Sequence, residues 1–203
     1  MNLDQAVAQI DSIWQQVART ETFRGYRSST VAGTGLLGLL AAGVQAAWIP
    51  DPATAIDAYL WLWVGVATVC SVLVGTELWL RTWQNPSRLE REATLRAVEQ
   101  FAPCLVLGAA LTWAMGEVAI DSLWMLPGMW SLLFSLGVFA SARQISLGVA
   151  WVAGYYAVAG VVCLLYGCGE NAFSPWCMAG TFGVGQLLMA GVLHWYVERR
   201  HGA

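Results

Sequence analysis

Charged side chains are scarce in this chain: they make up 11% of its 203 residues, and lysine is absent. Soluble proteins carry about 25% charged residues, and a soluble domain of this size could not cover its surface with so few. The scarcity excludes a soluble globular enzyme, a disordered chain and a domain that binds nucleic acid. Since hydrophobic residues make up 58% of the chain, the composition predicts an integral membrane protein with the lipid bilayer as its main partner.

Motifs for catalysis, metals and cofactors are also missing. The chain contains neither Gly-x-Ser-x-Gly nor His-Glu-x-x-His, and its carboxylates are not clustered. One G-x-G-x-x-G spacing occurs over residues 33–38, but the dinucleotide fingerprint requires a preceding strand. These glycines lie inside an apolar run, where they indicate close helix packing. We therefore expect no enzymatic activity, no cofactor and no metal site.

Six long apolar segments dominate the sequence, and each approaches the length of about 20 residues that a helix needs to cross a bilayer. None carries a charge near its centre, and none alternates like an outer-membrane strand. The predicted fold is all-α: a polytopic membrane protein whose six transmembrane helices form three hairpins within a domain over residues 30–198. The predicted spans cover residues 30–49, 58–80, 101–118, 122–141, 147–167 and 176–197.

Arginine is confined to alternate connections, and this predicts the orientation. All ten arginines lie before the first span, between the second and third, between the fourth and fifth, or after the sixth. The other three connections contain only acidic charges. By the positive-inside rule the arginine-bearing side is cytoplasmic. Both termini are therefore expected in the cytoplasm of a bacterium, with the spans in its inner membrane and residues 199–203 forming a cytoplasmic tail.

The first 29 residues predict a cytoplasmic amphipathic helix followed by a juxtamembrane segment. Apolar residues recur there at alternating spacings of four and three, the pattern of a single helix stripe. The opposite face lacks the basic residues that are typical of a helix lying on a membrane, so the stripe is expected to contact protein, in this chain or in a partner. The candidate contact residues are Leu3, Val7, Ile10, Trp14 and Val17.

A second cytoplasmic helix is predicted over residues 87–100, between the second and third spans. Ser87 and Glu90 have the spacing of a capping box, and oppositely charged pairs follow at i,i+4 spacing. The helix is expected to run to Pro103 and into the third span. Its mixed charge fits either a regulatory docking arm or a solvated connector.

Strongly polar side chains inside a span are candidates for function, because placing them in lipid is costly. Only neutral polar groups lie near the midplane, which argues against a proton pump or a proton-coupled porter and leaves open a channel for neutral solutes. The two acids lie near the ends of their spans, and one of them precedes Arg81 by four residues, so that an ion pair would explain it. The candidates are Gln45, Glu77, Glu117, Gln186 and His194.

The chain has five cysteines, too few for a disulfide scaffold, but two of them lie in or beside the last loop outside the cytoplasm. Cys168 and Cys177 are nine residues apart, and Asn171 and Pro175 between them favour turns. Disulfides persist outside the cytoplasm. The sequence therefore predicts a disulfide between Cys168 and Cys177, with two free thiols as the alternative.

The sequence favours a non-enzymatic component of the inner membrane that acts as a sensor, regulator or assembly partner through its cytoplasmic helices. The apolar N-terminal stripe and the charged helix over 87–100 carry this hypothesis. The alternative hypothesis is a channel or permease for small neutral solutes, since the midplane holds polar groups without charge. A partner should depend on residues 1–20, whereas solute flux should survive their deletion.

Overall fold

Six helices account for most of the chain in the computed structural model, which describes residues 28–84, 88–145 and 147–195. The predicted N-terminal helix, with its stripe from Leu3 to Val17, and the C-terminal tail lie outside these ranges. The described residues contain no strand, and all six helices are long and apolar enough to cross a membrane. The prediction of an all-helical fold with six helices of membrane-spanning length is confirmed and is consistent with a multi-pass membrane protein, whereas the hairpins and the orientation stay predictions.

The helices are numbered α1 to α6 in chain order. Each is an apolar run whose backbone hydrogen bonds close within the helix, as lipid requires. Short 3₁₀ turns, Ile120–Met125 and Gly169–Asn171, precede the fourth and sixth helices. We call the end of the bundle where α1 begins the basic end, because the arginine-bearing turns of α2 and α3 lie there, and the opposite end the acidic end. The bounds are Ser28–Trp48 (α1), Ile56–Gln84 (α2), Arg88–Val118 (α3), Leu126–Ile145 (α4), Leu147–Tyr166 (α5) and Pro175–Leu193 (α6).

Helix α3 joins its charged turns to the third span without a break. It runs for 31 residues, and Pro103 lies inside it. In the charged turns, Arg96 and Glu92 form an exposed ion pair at 3.4 Å. The guanidinium carbon of Arg91 lies 5.6 Å from the ring centroid of Trp83 on α2, within the range of a cation–π contact. The basic ends of α2 and α3 are thus in contact.

Four helices, α1, α4, α5 and α6, form a closely packed unit that we call the scaffold. Glycines bring its backbones together: a Cβ on Gly160 of α5 would lie 2.9 Å from the backbone oxygen of Gly128 on α4. A Cβ on Gly35 of α1 would lie 3.0 Å from the backbone oxygen of Gly183 on α6. Small residues at these contacts are the usual means by which membrane helices approach closely.

Hydrogen bonds between helices add to the packing of α4 against α5. The Ser131 hydroxyl on α4 donates to the carbonyl of Tyr156 on α5 at 2.8 Å, and both residues are fully buried. One turn further along α4, the Ser135 hydroxyl donates to the carbonyl of Ala153 at 2.7 Å. Since the α5 numbers fall as the α4 numbers rise, the two helices run antiparallel.

Helices α2 and α3 lie at the edge of the scaffold, and we call them the flanking pair. Only 11% of the α2 span and 6% of the α3 span are buried, against 39–44% for the scaffold helices. Helix α2 contacts mainly α1, helix α3 contacts mainly α4, and the two touch each other little. A gap is therefore left between them.

The sixth helix is irregular, which the sequence did not predict. It begins as α-helix over Pro175–Met178, continues as π-helix over Ala179–Val184 and returns to α-helix over Gly185–Leu193. The Tyr155 hydroxyl on α5 donates to the carbonyl of Gly180 in the π-helical segment at 2.6 Å. π-Helical turns are rare and often occur at functional sites.

Candidate functional site: a cleft between α2 and α3

Two adjoining cavities lie in the gap between α2 and α3, against the scaffold. The one nearer the acidic end has a volume of about 630 Å³, and the one nearer the basic end about 320 Å³. Helices α2 and α3 form the walls, and α1, α4 and α6, with Val149 of α5, form the floor. Together we call them the cleft. Six residues line both cavities and mark their junction: Thr34, Cys70, Ser71, Leu105, Phe134 and Gln186.

The cleft is not enclosed. Two of its lining side chains on α3, Leu105 and Val106, are 44% and 66% exposed, so they border an opening and not a closed core. The floor includes Phe134 on α4 and Phe182 on α6, whose ring centroids lie 5.6 Å apart.

Two tryptophans shape the larger cavity near the acidic end. The indole N–H of Trp130 on α4 donates to the hydroxyl of Thr112 on α3 at 2.9 Å. That hydroxyl in turn donates to the carbonyl of Gly108 in its own helix at 2.8 Å. The second tryptophan, Trp63 on α2, is 3% exposed. The indole N–H of Trp63 donates to the side-chain oxygen of Gln45 at 2.8 Å. Hydrogen bonding thus positions both rings, since a buried indole N–H needs an acceptor.

The cleft is uncharged but not wholly apolar. No charged side chain from the described ranges lines it. The hydroxyls of Thr34 and Thr68 donate to carbonyls within their own helices, Val31 at 2.8 Å and Val64 at 2.7 Å. Gln186 is half-buried at the junction, and its amide has no hydrogen-bond partner among the described residues. A neutral ligand would therefore find an open donor and an open acceptor there.

Gln45, the other glutamine predicted as a candidate, serves the fold instead. It is fully buried. Its amide nitrogen donates to the carbonyl of Phe173 at 2.6 Å, and its oxygen accepts the indole N–H of Trp63 at 2.8 Å. Phe173 has a φ of 60°, a conformation unusual for a residue with a side chain, and its ring packs against Tyr59 with centroids 4.9 Å apart. Gln45 thus ties α1, α2 and the last loop together.

The three ionisable candidates lie apart from the cleft. Glu77 is half-buried on α2, Glu117 is exposed near the acidic end of α3, and His194 is exposed after the last residue of α6. None of the three lines either cavity. Of the five predicted polar candidates, only Gln186 contributes a side chain to the site.

The disulfide predicted between Cys168 and Cys177 is not found, and all five cysteines are free. Cys168 is exposed beside the 3₁₀ turn, whereas Cys177 is buried at the start of α6. The cysteine that contacts Cys177 is Cys163 and not Cys168: the Cys163 thiol on α5 donates to the Cys177 carbonyl at 3.7 Å. Sequence spacing could not reveal this, because α6 turns the Cys177 side chain into the scaffold and away from the loop.

Most of the cleft was missed from the sequence. Gly75 on α2 and Gly108 on α3 line it, and a Cβ added to either would meet nothing within 4 Å. In the sequence these glycines look the same as Gly35 and Gly160, which permit close helix contact. The signal is ambiguous, since a small residue either brings two helices together or leaves space between them.

In comparisons with known proteins, no family model, no curated protein and no solved structure matches this chain.

Proposed function

We propose that the protein is a non-enzymatic sensor in a bacterial inner membrane that binds an uncharged, bilayer-dissolved molecule in the cleft. The observation that carries this proposal is a cavity of about 630 Å³ that is bordered by exposed side chains and has no charged lining residue in the described ranges. Ligand sites typically measure about 300–1,000 Å³ and are mainly apolar with a few polar groups. A charged ligand would lose its hydration in the cleft without gaining a partner, which is costly.

Helix α3 is the element that would carry the signal. Its 31 residues extend over about 46 Å at 1.5 Å per residue, which exceeds the roughly 30 Å of the hydrocarbon core. The charged turns therefore project beyond the membrane at the basic end, where Arg91 meets Trp83 of α2. An occupant that separates α2 from α3 would alter this contact and present a different surface to a partner.

The proposal includes an orientation and a partner. The basic end faces the cytoplasm, in accordance with the positive-inside rule. The partner is a protein that contacts the charged turns of α3 and the N-terminal stripe of Leu3, Val7, Ile10, Trp14 and Val17. Reporter fusions test the orientation: a fluorescent protein after residue 203 should be bright, and alkaline phosphatase at the same position should be inactive. An active phosphatase there would refute it.

Cleft-filling variants test the signalling step without knowledge of the ligand. Gly75→Leu and Gly108→Leu would add a side chain at residues that line the two cavities and have no neighbour within 4 Å of a Cβ. Gly65→Leu and Gly116→Leu are matched controls, because they lie on the same two helices, also meet nothing within 4 Å and line neither cavity. In lipid nanodiscs, hydrogen–deuterium exchange over residues 88–100 should change in the filling variants and not in the controls. Equal exchange in all four would refute the coupling.

A channel or permease for small neutral solutes is the second candidate, favoured by the hydroxyl and amide groups of Thr112, Ser71 and Gln186 along the cleft. Glycerol flux into liposomes separates the two functions. A sensor should give no flux above that of empty liposomes. Flux that survives deletion of residues 1–20 and falls in Gly108→Leu, but not in Gly116→Leu, would establish a permease in place of the sensor.

A further inference from the structure

We infer that the ligand of the cleft is a lipid-like molecule: a long uncharged chain lying along the membrane normal, with a neutral hydrogen-bonding group near its middle. This inference rests on the proposed function, since it specifies which uncharged molecule the cleft binds. Two properties of the cleft lead to it: its length and the position of its only open amide among the described residues.

The cleft is long in the direction of the helix axes. Its lining on α2 runs from Trp63 to Leu78, and its lining on α3 from Val98 to Thr112. At 1.5 Å per residue these segments measure about 22 Å and about 21 Å. The hydrocarbon core is roughly 30 Å thick. The cleft therefore follows an acyl or isoprenoid chain over most of its depth in the bilayer, whereas a compact solute would occupy one part of it.

The cleft volumes of about 630 and 320 Å³ accommodate a hydrocarbon chain, which is far thinner than a helix. A protein segment as the occupant is an outcome that the crosslinking test below distinguishes.

The polar group of the ligand follows from Gln186. This residue lies at the junction of the two cavities, about midway along the cleft, with the Ser71 hydroxyl lining the same position. A plain hydrocarbon would leave the half-buried amide of Gln186 without a partner. An ester, ketone, amide or hydroxyl at mid-chain would accept from or donate to it. A carboxylate or phosphate at this depth would lack a counter-charge in the lining, and its desolvation would oppose binding.

A photolabelling competition in nanodiscs tests the inference. The probe is octyl octanoate with a diazirine in its octyl chain, an uncharged chain with an ester at its middle. We expect saturable labelling of peptides from α2 and α3, blocked by unlabelled octyl octanoate. Ethyl butanoate, which has the ester without the length, should compete at least tenfold more weakly, and palmitate should not compete. Gly108→Leu should abolish the saturable labelling, and the matched control Gly116→Leu should retain it.

The contact between the Gln186 amide and the ester of the ligand is tested by a second competition experiment. Hexadecane, which has the length without the ester, should compete about 3- to 10-fold more weakly than octyl octanoate, the value of one neutral hydrogen bond. In Gln186→Leu this difference should disappear, because the amide is gone. Equal competition by both compounds in the wild-type protein would overturn the polar contact.

Other outcomes separate this inference from the proposed function. If ethyl butanoate competes as well as octyl octanoate, the ligand is compact: the chain inference fails, and the proposed function stands. If labelling never saturates and is unchanged in Gly108→Leu, the cleft holds bulk lipid only, and both fail. If the diazirine crosslinks a copurifying protein in the cleft, the occupant is a protein segment, which also overturns the inference.

Discussion

The six membrane-length segments are similarly apolar, yet those of the scaffold are tightly packed and those of the flanking pair are not. Membrane helices gain little from the hydrophobic effect when they associate, so close contact depends on small residues and hydrogen bonds between helices. The scaffold uses both, for example Gly160 against Gly128 and Ser135 to Ala153. Some scaffold glycines also meet nothing within 4 Å, but in the flanking pair this is true of all four glycines: Gly65, Gly75, Gly108 and Gly116.

The comparison shows that a glycine on an apolar helix has two opposite uses. At Gly35 and Gly160 of the scaffold, the absence of a side chain lets the backbone of another helix approach closely. In the cleft a glycine removes a side chain and the space stays open. The second use costs packing energy, since lining atoms lose van der Waals contacts. A ligand that fills the cleft would restore these contacts, so the empty volume between α2 and α3 is compatible with a binding site.

The largest expected difference comes from one substitution made in both regions. Gly160→Leu forces a side chain against the Gly128 backbone oxygen, only 2.9 Å from the Cβ position, and should destabilise the protein by about 3 kcal/mol or prevent folding. Gly108→Leu should be neutral or stabilise by up to about 1 kcal/mol, since leucine favours helix over glycine. Thermal unfolding in one detergent measures both. Equal losses would mean that the cleft is not open space.

The two membrane glutamines give the next difference. Gln45→Leu leaves the indole of Trp63 and the carbonyl of Phe173 without their partner, which should cost about 1–3 kcal/mol. Gln186→Leu removes no hydrogen bond to a described residue and should change stability by less than about 0.5 kcal/mol. Unfolding by sodium dodecyl sulfate compares the two variants. A large loss in Gln186→Leu would show that this amide serves the fold rather than a ligand.

A smaller difference is expected between two adjacent tyrosines of α5. Tyr155→Phe removes the hydrogen bond to Gly180 in the π-helical segment and should cost about 0.5–1.5 kcal/mol. The hydroxyl of Tyr156 is buried and makes no hydrogen bond to a described residue, so Tyr156→Phe should leave stability unchanged or raise it by about 1 kcal/mol. The same unfolding assay applies. If Tyr155→Phe has no effect, this bond does not hold α5 to α6.

The smallest difference compares one serine from each region. Ser135→Ala removes a buried hydrogen bond between α4 and α5, and such bonds in membrane proteins average about 0.6 kcal/mol. Ser71→Ala removes a hydroxyl that lines the cleft and should have no measurable effect on stability. Replicate unfolding curves resolve this difference. A larger loss in Ser71→Ala would place that hydroxyl in the packing of the bundle.

How far sequence reasoning reached depends on the kind of residue. Gln186 was predicted from its depth alone, and it does line the cleft. Gln45 was predicted for the same reason, but its partners Trp63 and Phe173 come from distant parts of the chain. The Cys168–Cys177 pairing failed similarly, since the neighbour of Cys177 is Cys163 on another helix. Depth in a membrane can be read from a single segment, but a side-chain partner cannot.

The sequence by itself determined that six helices of this chain are able to span a membrane, because each apolar run closes its own backbone hydrogen bonds and lipid tolerates no alternative. Local capping and charge pairs also predicted that the charged turns continue into the third span. Only the tertiary structure decided which faces meet, where α6 becomes π-helical, and where α2 and α3 leave a cleft. In an all-apolar helix no polarity marks the buried face, so shape complementarity between distant residues makes that choice.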